Sequence, residues 1–256
     1  MVQILGKKVF ASAAGVKMSI EEIRACLVGN GIPFPEELPG KLYTYFNLLK
    51  EWNSRMDLTA VTDDDEMLDK HFIDSLTVLK TGILPETGEL IDVGTGAGFP
   101  GMVLAMACPK IRVTLLDSQQ KRLVFLERVA SETDTRNTVL IHARAEDGAR
   151  KPEMREQYDY AVARAVAPTN ILCEYLLPYV RIGGRALCWK GPALKDEIDN
   201  GRKAAHLLGG SLEMPLSCPV KGRDWEHMIL PIRKIGHTAS AYPRKAGVPK
   251  NKPLGI

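Results

Sequence analysis

The 256-residue sequence lacks several features that would place it in a membrane, metal-binding or disulfide-rich class. No apolar run approaches the roughly 20 residues that a membrane-spanning helix needs. The five cysteines are odd in number and widely spaced, and no CxxC pair occurs, so neither a zinc site nor a disulfide framework is expected. The early run "VFASAAGV" is short and is closed by Lys17, which fits a loose extension better than a secretory signal. We therefore expect free thiols, no membrane span and a cytoplasmic location.

Acidic residues are absent from the end of the chain. From His227 onward there are six Lys or Arg residues and no Asp or Glu. The net charge is +3, so the remaining chain carries about −3 once those six charges are subtracted. A basic segment on a mildly acidic body suggests a polyanionic partner, and a solvated, disordered terminus is the alternative.

The first third of the sequence has helical patterns. The stretch "LPGKLYTYFNLLKEWNSRM" places apolar residues on one helical face, and "DDDEMLDKHFIDSLTVLKTG" has an acidic start, an apolar face and a glycine stop. We predict a helical cap over residues 37–88. Residues 1–36 are predicted to be an extension, to which no role is assigned.

From Gly88 onward, short β-rich runs alternate with helical patterns. The predicted strands are "ELIDVG", "RVTLLDS", "TVLIHAR", "YDYAVARAV", "GRALCWKG", "SLEMPLSC" and "HMILPIRK", and the predicted helices are 100–108, 119–133, 169–180 and 192–208. This alternation predicts a doubly wound, Rossmann-like α/β sheet over residues 89–235, with the last two strands as an antiparallel pair at one edge. The basic segment 236–256 is predicted to be extended and irregular.

The stretch "ELIDVGTGAGFPG" is the most informative part of the sequence. Gly96–Gly101 literally matches the dinucleotide fingerprint GxGxxG, a weak signal on its own. The acid Asp92, followed by alternating glycines at Gly94, Gly96 and Gly98, instead resembles motif I of class I S-adenosylmethionine methyltransferases. A carboxylate would disfavour a pyrophosphate and favour a cationic sulfonium cofactor. The alternative for Asp92 is a cap that accepts hydrogen bonds from the loop.

The ends of the next two predicted strands also carry acids. Asp117 falls 25 residues after Asp92, a distance that suits hydrogen bonding to ribose hydroxyls, with Ser118 beside it. Asp117 could equally cap the following helix. In "ARAED", Ala145 and Glu146 lie where many methyltransferases hold adenine, and a surface acid is the alternative for Glu146.

Taken together, the motifs resemble the GidB/RsmG family, the bacterial 16S ribosomal RNA (guanine-N7) methyltransferases. The resemblance runs from about residue 40 to the end and rests on "LLKEWNSRMDLTAVTDDDEMLDKHFIDSL", "DVGTGAGFPG", "LLDSQQKRLVFL", "ARAED", "VARAVA", "WKG" and "YPRKAGVPKNKPL". It implies a class I methyltransferase fold that uses S-adenosylmethionine and acts on a guanosine in the 30S decoding region. It also implies cofactor contacts at Gly94, Phe99, Ala145, Glu146 and Arg164.

Positively charged residues supply the predicted contacts with RNA. Arg164, at the end of the fourth strand, is expected to position the cofactor or the RNA backbone, and a salt bridge to Asp92 or Asp117 is its structural alternative. The candidates for RNA binding are Arg122, Lys190, Arg244, Lys245, Lys250 and Lys252. Trp189 and Tyr242 could stack on a base, but core packing is the expected role for both. We expect a monomer that acts on 16S RNA, the 30S subunit or an assembly intermediate.

Two common catalytic devices are absent from the sequence. There is no [DNS]PP[YFW] motif after the fourth strand, and no cysteine follows proline or threonine. Guanine N7 needs neither, since its lone pair is nucleophilic at neutral pH, so proximity without a general base is the expected mechanism.

The pair His71 and Asp74 in "HFIDSL" is predicted to order the helical cap against the glycine loop. An NAD-dependent oxidoreductase and a non-catalytic RNA-binding protein remain as alternatives.

Overall fold

The computed structural model describes residues 18–256, so the run "VFASAAGV" lies outside the described residues. Its centre is an eight-stranded sheet: seven strands follow the order β3-β2-β1-β4-β5-β8-β6, and the eighth, the short β7, pairs with β8. The strands are β1 Gly88–Val93, β2 Ile111–Asp117, β3 Thr138–His142, β4 Tyr158–Arg164, β5 Val180–Lys190, β6 Gly210–Leu212, β7 Leu216–Ser217 and β8 Met228–Lys234.

The sheet is mostly parallel, as the alternation of strands and helices predicts. Strands β1 to β5 are parallel, whereas β8 runs antiparallel to β5, and β6 and β7 run antiparallel to β8. The antiparallel pairing of the last strands is thereby confirmed, with the predicted strand "SLEMPLSC" divided into β6 and β7. The strand order reverses between β1 and β4, which creates a crevice at the carboxyl ends of those strands.

Helices cover both faces of the sheet because neighbouring strand residues alternate between two apolar cores. Leu90 and Leu115 face one core, while Ile91 and Leu116 face the other. The helices are α1 Ile20–Gly29, α2 Leu38–Met56, α3 Asp64–Met67, α4 Asp74–Leu76, α5 Gly101–Ala107, α6 Gln120–Glu132, α7 Ala145–Gly148, α8 Thr169–Leu176, α9 Leu194–Leu207 and α10 Val248–Asn251. A π-helical turn, Leu68–Ile73, joins α3 to α4, and 3₁₀ turns follow α4 at Thr77–Thr81 and α8 at Leu177–Tyr179.

The region before β1 packs on the first of these cores. Helix α1 begins at a capping box in which Ser19 and Glu22 exchange hydrogen bonds, and its Ile23 and Leu27 are fully buried. In α2, Tyr45 and Phe46 are also buried. This layer places the π-helical turn directly beside the glycine loop that follows β1.

The C-terminal segment, residues 236–256, is folded back onto the domain. Lys234 at the end of β8 is fully buried, and its ammonium pairs with Glu156 at 3.0 Å. Glu156 also accepts hydrogen bonds from the Thr238 N–H at 2.8 Å and from His237 Nδ1 at 2.6 Å. Burial alone would raise the pKa of Glu156, but these three partners lower it to about 2. The segment is irregular, as predicted, apart from the short helix α10.

Replacing Glu156 with glutamine tests how strongly this cluster holds the segment. The change leaves the Lys234 ammonium buried without its carboxylate, so we expect a loss of roughly 2–4 kcal/mol in the free energy of unfolding at pH 7. The pKa of Glu156 is depressed in the folded protein, so its stabilisation exists above the unfolded value of 4.5 and is lost as the pH falls towards 2. Urea unfolding at pH 7 and at pH 3 measures both effects.

The matched control is Asp199→Asn, which removes the carboxylate of an exposed pair with Arg202 on α9. Its unfolding should resemble that of the wild type at both pH values. A gap between wild type and Glu156→Gln that does not narrow at pH 3 would contradict the assignment.

Candidate functional site

A large cavity lies at the carboxyl ends of the parallel strands. It has a volume of about 570 Å³ and is walled by the β1–α5 loop, the end of β2, the β3–α7 turn and the end of β4. The C-terminal segment closes one side through Gly247 and Lys250. We call this the first cavity. Its position at the reversal of strand order is where doubly wound sheets bind ligands.

The glycine loop presents bare backbone to the first cavity at two positions. Gly94 and Gly96 line it with φ angles of 76° and 61°, a region that side chains rarely adopt. Gly98 differs, because a Cβ there would collide with the Tyr45 hydroxyl and with Met102 Cβ in the core. Gly98 therefore allows the loop to pack closely on α2 and α5, and it does not line the cavity.

Asp92 lies beneath the loop, away from the cavity wall. Its Oδ2 accepts hydrogen bonds from Thr95 Oγ1 at 2.7 Å and from the Gly101 N–H at 2.8 Å. The side chain is fully buried, and its Oδ1 has no hydrogen-bond partner among residues 18–256. Burial raises the pKa of Asp92 to about 6, against the opposing effect of those two hydrogen bonds. The geometry matches a loop cap, whereas the sequence favoured a direct neighbour of the cofactor.

Asp117 at the end of β2 does line the first cavity, beside Ser118. One carboxylate oxygen accepts from the Gly96 N–H at 2.9 Å, and the other accepts from the Gln119 N–H at 2.8 Å. Arg122 approaches at 3.5 Å. Since a carboxylate has about four acceptor sites, Asp117 fixes the loop and still has capacity for a ligand hydroxyl.

The β3–α7 turn brings Ala145 and Glu146 to the same cavity. Glu146 is buried, and its Oε1 accepts a hydrogen bond from the Gly247 N–H at 2.8 Å. No feature of the sequence indicates this contact, because Gly247 is 101 residues further along the chain. The C-terminal segment is thus part of the cavity wall.

Phe99, His71 and Arg164 form a stacked wall of the first cavity. The His71 ring stacks on Phe99 with centroids 4.9 Å apart, and the Arg164 guanidinium lies 5.3 Å from the Phe99 centroid. The prediction that "HFIDSL" packs against the glycine loop is confirmed by this stacking. Arg164 does pair with an acid, but that acid is Asp74, at 3.0 Å, where the sequence suggested Asp92 or Asp117.

His71 is neutral in this wall. Burial lowers the pKa of His71 to about 4, and the nearby charges of Arg164 and Lys70 act in the same direction. Arg164 has only donors, so His71 Nδ1, 3.3 Å away, accepts from it, and the ring proton lies on Nε2, 2.6 Å from Thr59 Oγ1. Neither sequence position nor spacing identified Thr59 as part of this chain of contacts.

A second cavity of about 260 Å³ adjoins the first. The two share His71, Arg164 and Ala165, and the second is completed by residues that include Asp74, Trp189, Lys190 and His227. Trp189 is 6% exposed, and its Nε1 donates to the Asp74 carbonyl at 3.1 Å, so it packs largely in the core as predicted. Asp74 and His227, 153 residues apart, were not selected from the sequence as a pair.

Two of the residues predicted to bind RNA are committed to internal ion pairs. Lys190 is nearly buried and lies 2.5 Å from Glu197. Arg244 forms a bidentate pair with the buried Glu174, with one contact at 2.6 Å. Because these partners neutralise and cover the charges, we do not assign Lys190 or Arg244 to RNA.

The other predicted RNA contacts are more accessible. Lys245, Lys250 and Lys252 are exposed on the C-terminal segment, and Lys250 and Arg122 also line the first cavity.

Among the helices described, none combines the length and apolar character that a membrane span requires. Within residues 18–256, no three His, Cys, Asp or Glu side chains are grouped in a way that would hold a metal ion.

The chain matches known proteins over most of its length. Residues 39–225 match the GidB family model, described as rRNA small subunit methyltransferase G. A ribosomal RNA small subunit methyltransferase G from Alkaliphilus metalliredigens is 47% identical over 214 residues, which cover 84% of this chain and 90% of that protein. Its counterpart from Alkaliphilus oremlandii is 45% identical over 226 residues, covering 88% and 95%.

Matches to solved structures include more distant proteins. An rRNA methylase from Streptococcus thermophilus shares 18% identity with a TM-score of 0.45, over 70% of this chain and all of that one. The sequence matches, in contrast, include the glycine loop, the β3–α7 turn and the end of β4. The chain belongs to the rRNA small subunit methyltransferase G (GidB) family.

Proposed function

We propose that the protein uses S-adenosylmethionine to methylate N7 of a guanosine in 16S ribosomal RNA, in the decoding region of the 30S subunit. The observation that carries this proposal is the family match over residues 39–225, which spans every side of the first cavity except the C-terminal segment. The finer points of target atom and region rest on the motif resemblance described above. A monomeric state and a cytoplasmic location stay predictions.

The residues of the first cavity fit a nucleoside-containing sulfonium cofactor. Bare backbone at Gly94 and Gly96 allows close approach, Asp117 offers free acceptor sites for ribose hydroxyls, and Ala145 and Glu146 would hold the adenine. The volume is within the usual range of roughly 300–1,000 Å³ for ligand sites. Asp92 would act indirectly, by fixing the loop that these contacts need.

The proposed reaction requires no general acid or base from the protein. When bound, the cofactor would supply an electrophilic methyl group to the N7 lone pair while the S–C electron pair stayed on sulfur, so no residue of the protein would need to transfer a proton. The stacked wall of Phe99, His71 and Arg164 would orient the reactants and exclude water. His71 is neutral near pH 7, because its pKa is lowered to about 4, and this suits a packing role.

The geometry argues against dinucleotide binding at the same loop. In the literal GxGxxG match, Gly98 faces the core and the Gly101 N–H is bonded to Asp92. A pyrophosphate would need those backbone positions open to the ligand. Of the three glycines in the pattern, Gly96 alone lines the first cavity.

Methyl transfer to RNA is the direct test of this function. We expect the protein, given labelled cofactor and 30S subunits from cells lacking this activity, to label 16S RNA at N7 of one guanosine. The rate should stay constant above about pH 7, because no general base is required, whereas a fall near pH 6 would reflect Asp92, whose pKa is raised to about 6. A non-catalytic RNA-binding protein would transfer no label, and binding of NAD without binding of S-adenosylhomocysteine would favour the oxidoreductase.

Replacing Asp117 with asparagine should weaken binding of S-adenosylhomocysteine roughly tenfold to a hundredfold. An amide has one acceptor atom, so it cannot accept from both the Gly96 and Gln119 N–H groups, and its NH₂ would face one of these donors. Isothermal titration calorimetry measures the change. The matched control is Asp159→Asn, because Asp159 likewise accepts from a backbone N–H, that of Glu89, but near the start of β4. Equal weakening in both variants would show that the loss is not local to the cavity.

Replacing Lys245, Lys250 and Lys252 together with glutamine should weaken RNA binding and reduce its salt dependence. Each phosphate contact that is removed lowers the slope of log K against log[salt] by roughly 0.7–0.9, so the loss of three gives a change of about 2–3. Charge substitution is preferable to deletion of residues 240–256, which would also remove the Gly247 hydrogen bond to Glu146. The control changes Lys110, Arg112 and Lys203 to glutamine, which removes the same charge elsewhere on the surface. An identical salt slope in both triple variants would refute the assignment.

A further inference from the structure

We infer that the second cavity receives the target base and that the Asp74 carboxylate in it selects guanine over adenine. This inference rests on the proposed function, because it presupposes a purine beside the methyl donor. The second cavity, of about 260 Å³, adjoins the first, since His71, Arg164 and Ala165 line both. A base seated there would have the first cavity, and thus the donor, as its neighbour.

The residues around the second cavity suit a flat, partly polar ligand. The indole of Trp189 lines it and is fixed by its hydrogen bond to the Asp74 carbonyl. Gly191 leaves open space where a side chain would stand. Ala165 has a φ of 55°, a strained conformation for a non-glycine residue of the kind that clusters at ligand sites. An extruded nucleotide is commonly bound in such a pocket and read along its Watson–Crick edge.

Asp74 provides the discriminating chemistry. It is 2% exposed, and it is held from two sides, since Oδ2 accepts from Arg164 Nη1 at 3.0 Å and Oδ1 accepts from His227 Nδ1 at 2.8 Å. Because a carboxylate can accept about four hydrogen bonds, two sites remain for a ligand. Guanine offers N–H donors at both N1 and N2, whereas adenine has an acceptor at N1 and would place a lone pair against the carboxylate.

The charge of Asp74 also favours the reaction itself. Methylation at N7 moves a positive charge from the cofactor to the purine, and a carboxylate at the purine stabilises the charge as it develops. Arg164 sits between the two cavities and holds Asp74, so it connects the donor site with the base site. Asp74 therefore acts on specificity and on the rate together.

His227 positions Asp74 from the β8 side. Its Nδ1 carries the ring proton, because the carboxylate oxygen it contacts can only accept. Its ring stacks on Trp225 with centroids 5.3 Å apart. His227→Phe would keep an aromatic ring on Trp225 and remove the N–H donor to Asp74. We classify His227 as a positioning residue.

The test measures binding of guanosine and adenosine 5′-monophosphates to the full chain saturated with S-adenosylhomocysteine, by saturation-transfer NMR. A separate assay, with S-adenosylmethionine as the donor, measures how each nucleotide inhibits methyl transfer to 16S RNA. For the wild type, we expect GMP to bind at least about tenfold more tightly than AMP and to compete with RNA. Asp74→Asn should abolish this preference, because the amide offers fewer acceptor sites and no charge. His227→Phe should reduce it, while the affinity for S-adenosylhomocysteine stays at the wild-type value.

The matched control is His237→Phe, which removes another histidine–carboxylate hydrogen bond, to Glu156, outside both cavities. It should keep the wild-type preference. If Asp74→Asn fails to bind S-adenosylhomocysteine, the substitution has disturbed the shared wall at Arg164 or the fold, and His227→Phe decides the question. Equal affinity for GMP and AMP, no GMP binding at millimolar concentration, or an unchanged preference in a folded Asp74→Asn would overturn the inference.

Failure of the proposed function would look different. In that case the wild type would transfer no methyl group to guanine N7 in 16S RNA, whatever its preference among nucleotides. If the RNA is methylated at N7 and the nucleotide preference does not depend on Asp74, the function stands and the assignment of the second cavity falls.

Discussion

The structure of the site depends on one buried carboxylate. Asp92 accepts a hydrogen bond from Thr95, near the start of the glycine loop, and another from the Gly101 N–H, where α5 begins. A bare loop with several left-handed residues has many alternative conformations, and two hydrogen bonds to a rigid strand end select one of them. This arrangement requires a desolvated acid, which explains the raised pKa of Asp92. The conformation held in this way exposes Gly94 and Gly96 to the first cavity.

A second acid, Asp74, organises the other half of the site through Arg164. The guanidinium bonds to Asp74 and to the Lys70 carbonyl while it lies against the Phe99 ring of the glycine loop. The helical cap before β1 is therefore tied to the strand end β4 through a charge-assisted contact, and both cavities take their shared wall from it. The bare loop and the charged wall are parts of one packed unit, because Phe99 belongs to both.

Local sequence features predicted the architecture and the outline of the first cavity. Strand and helix periodicity indicated the sheet and placed Asp117 and Glu146 after strands whose ends share one edge, and the family resemblance added Arg164. The sequence did not show that the Asp92 side chain points beneath the glycine loop. The position of Asp92 in its strand indicates the end of the sheet at which it lies, but not how deeply its side chain is buried. Packing sets that depth. Thr95 donates a hydrogen bond to Asp92, and the side chains of Asp92 and Leu115 pack against the backbone of Gly101.

The sequence also could not reveal which charges are already paired. Arg244 and Glu174 are 70 residues apart, and only the return of the chain across α8 brings them together. This pairing gives the basic C-terminal segment a structural role. The ion pair of Arg244 holds the segment against the domain, and Gly247 then donates a hydrogen bond to Glu146. The lysines that follow Arg244 remain exposed. One segment thus forms part of the first cavity and presents positive charge beside it. A polyanion that engages those lysines would lie beside the first cavity, which Lys250 lines and which adjoins the second cavity proposed to receive the target base.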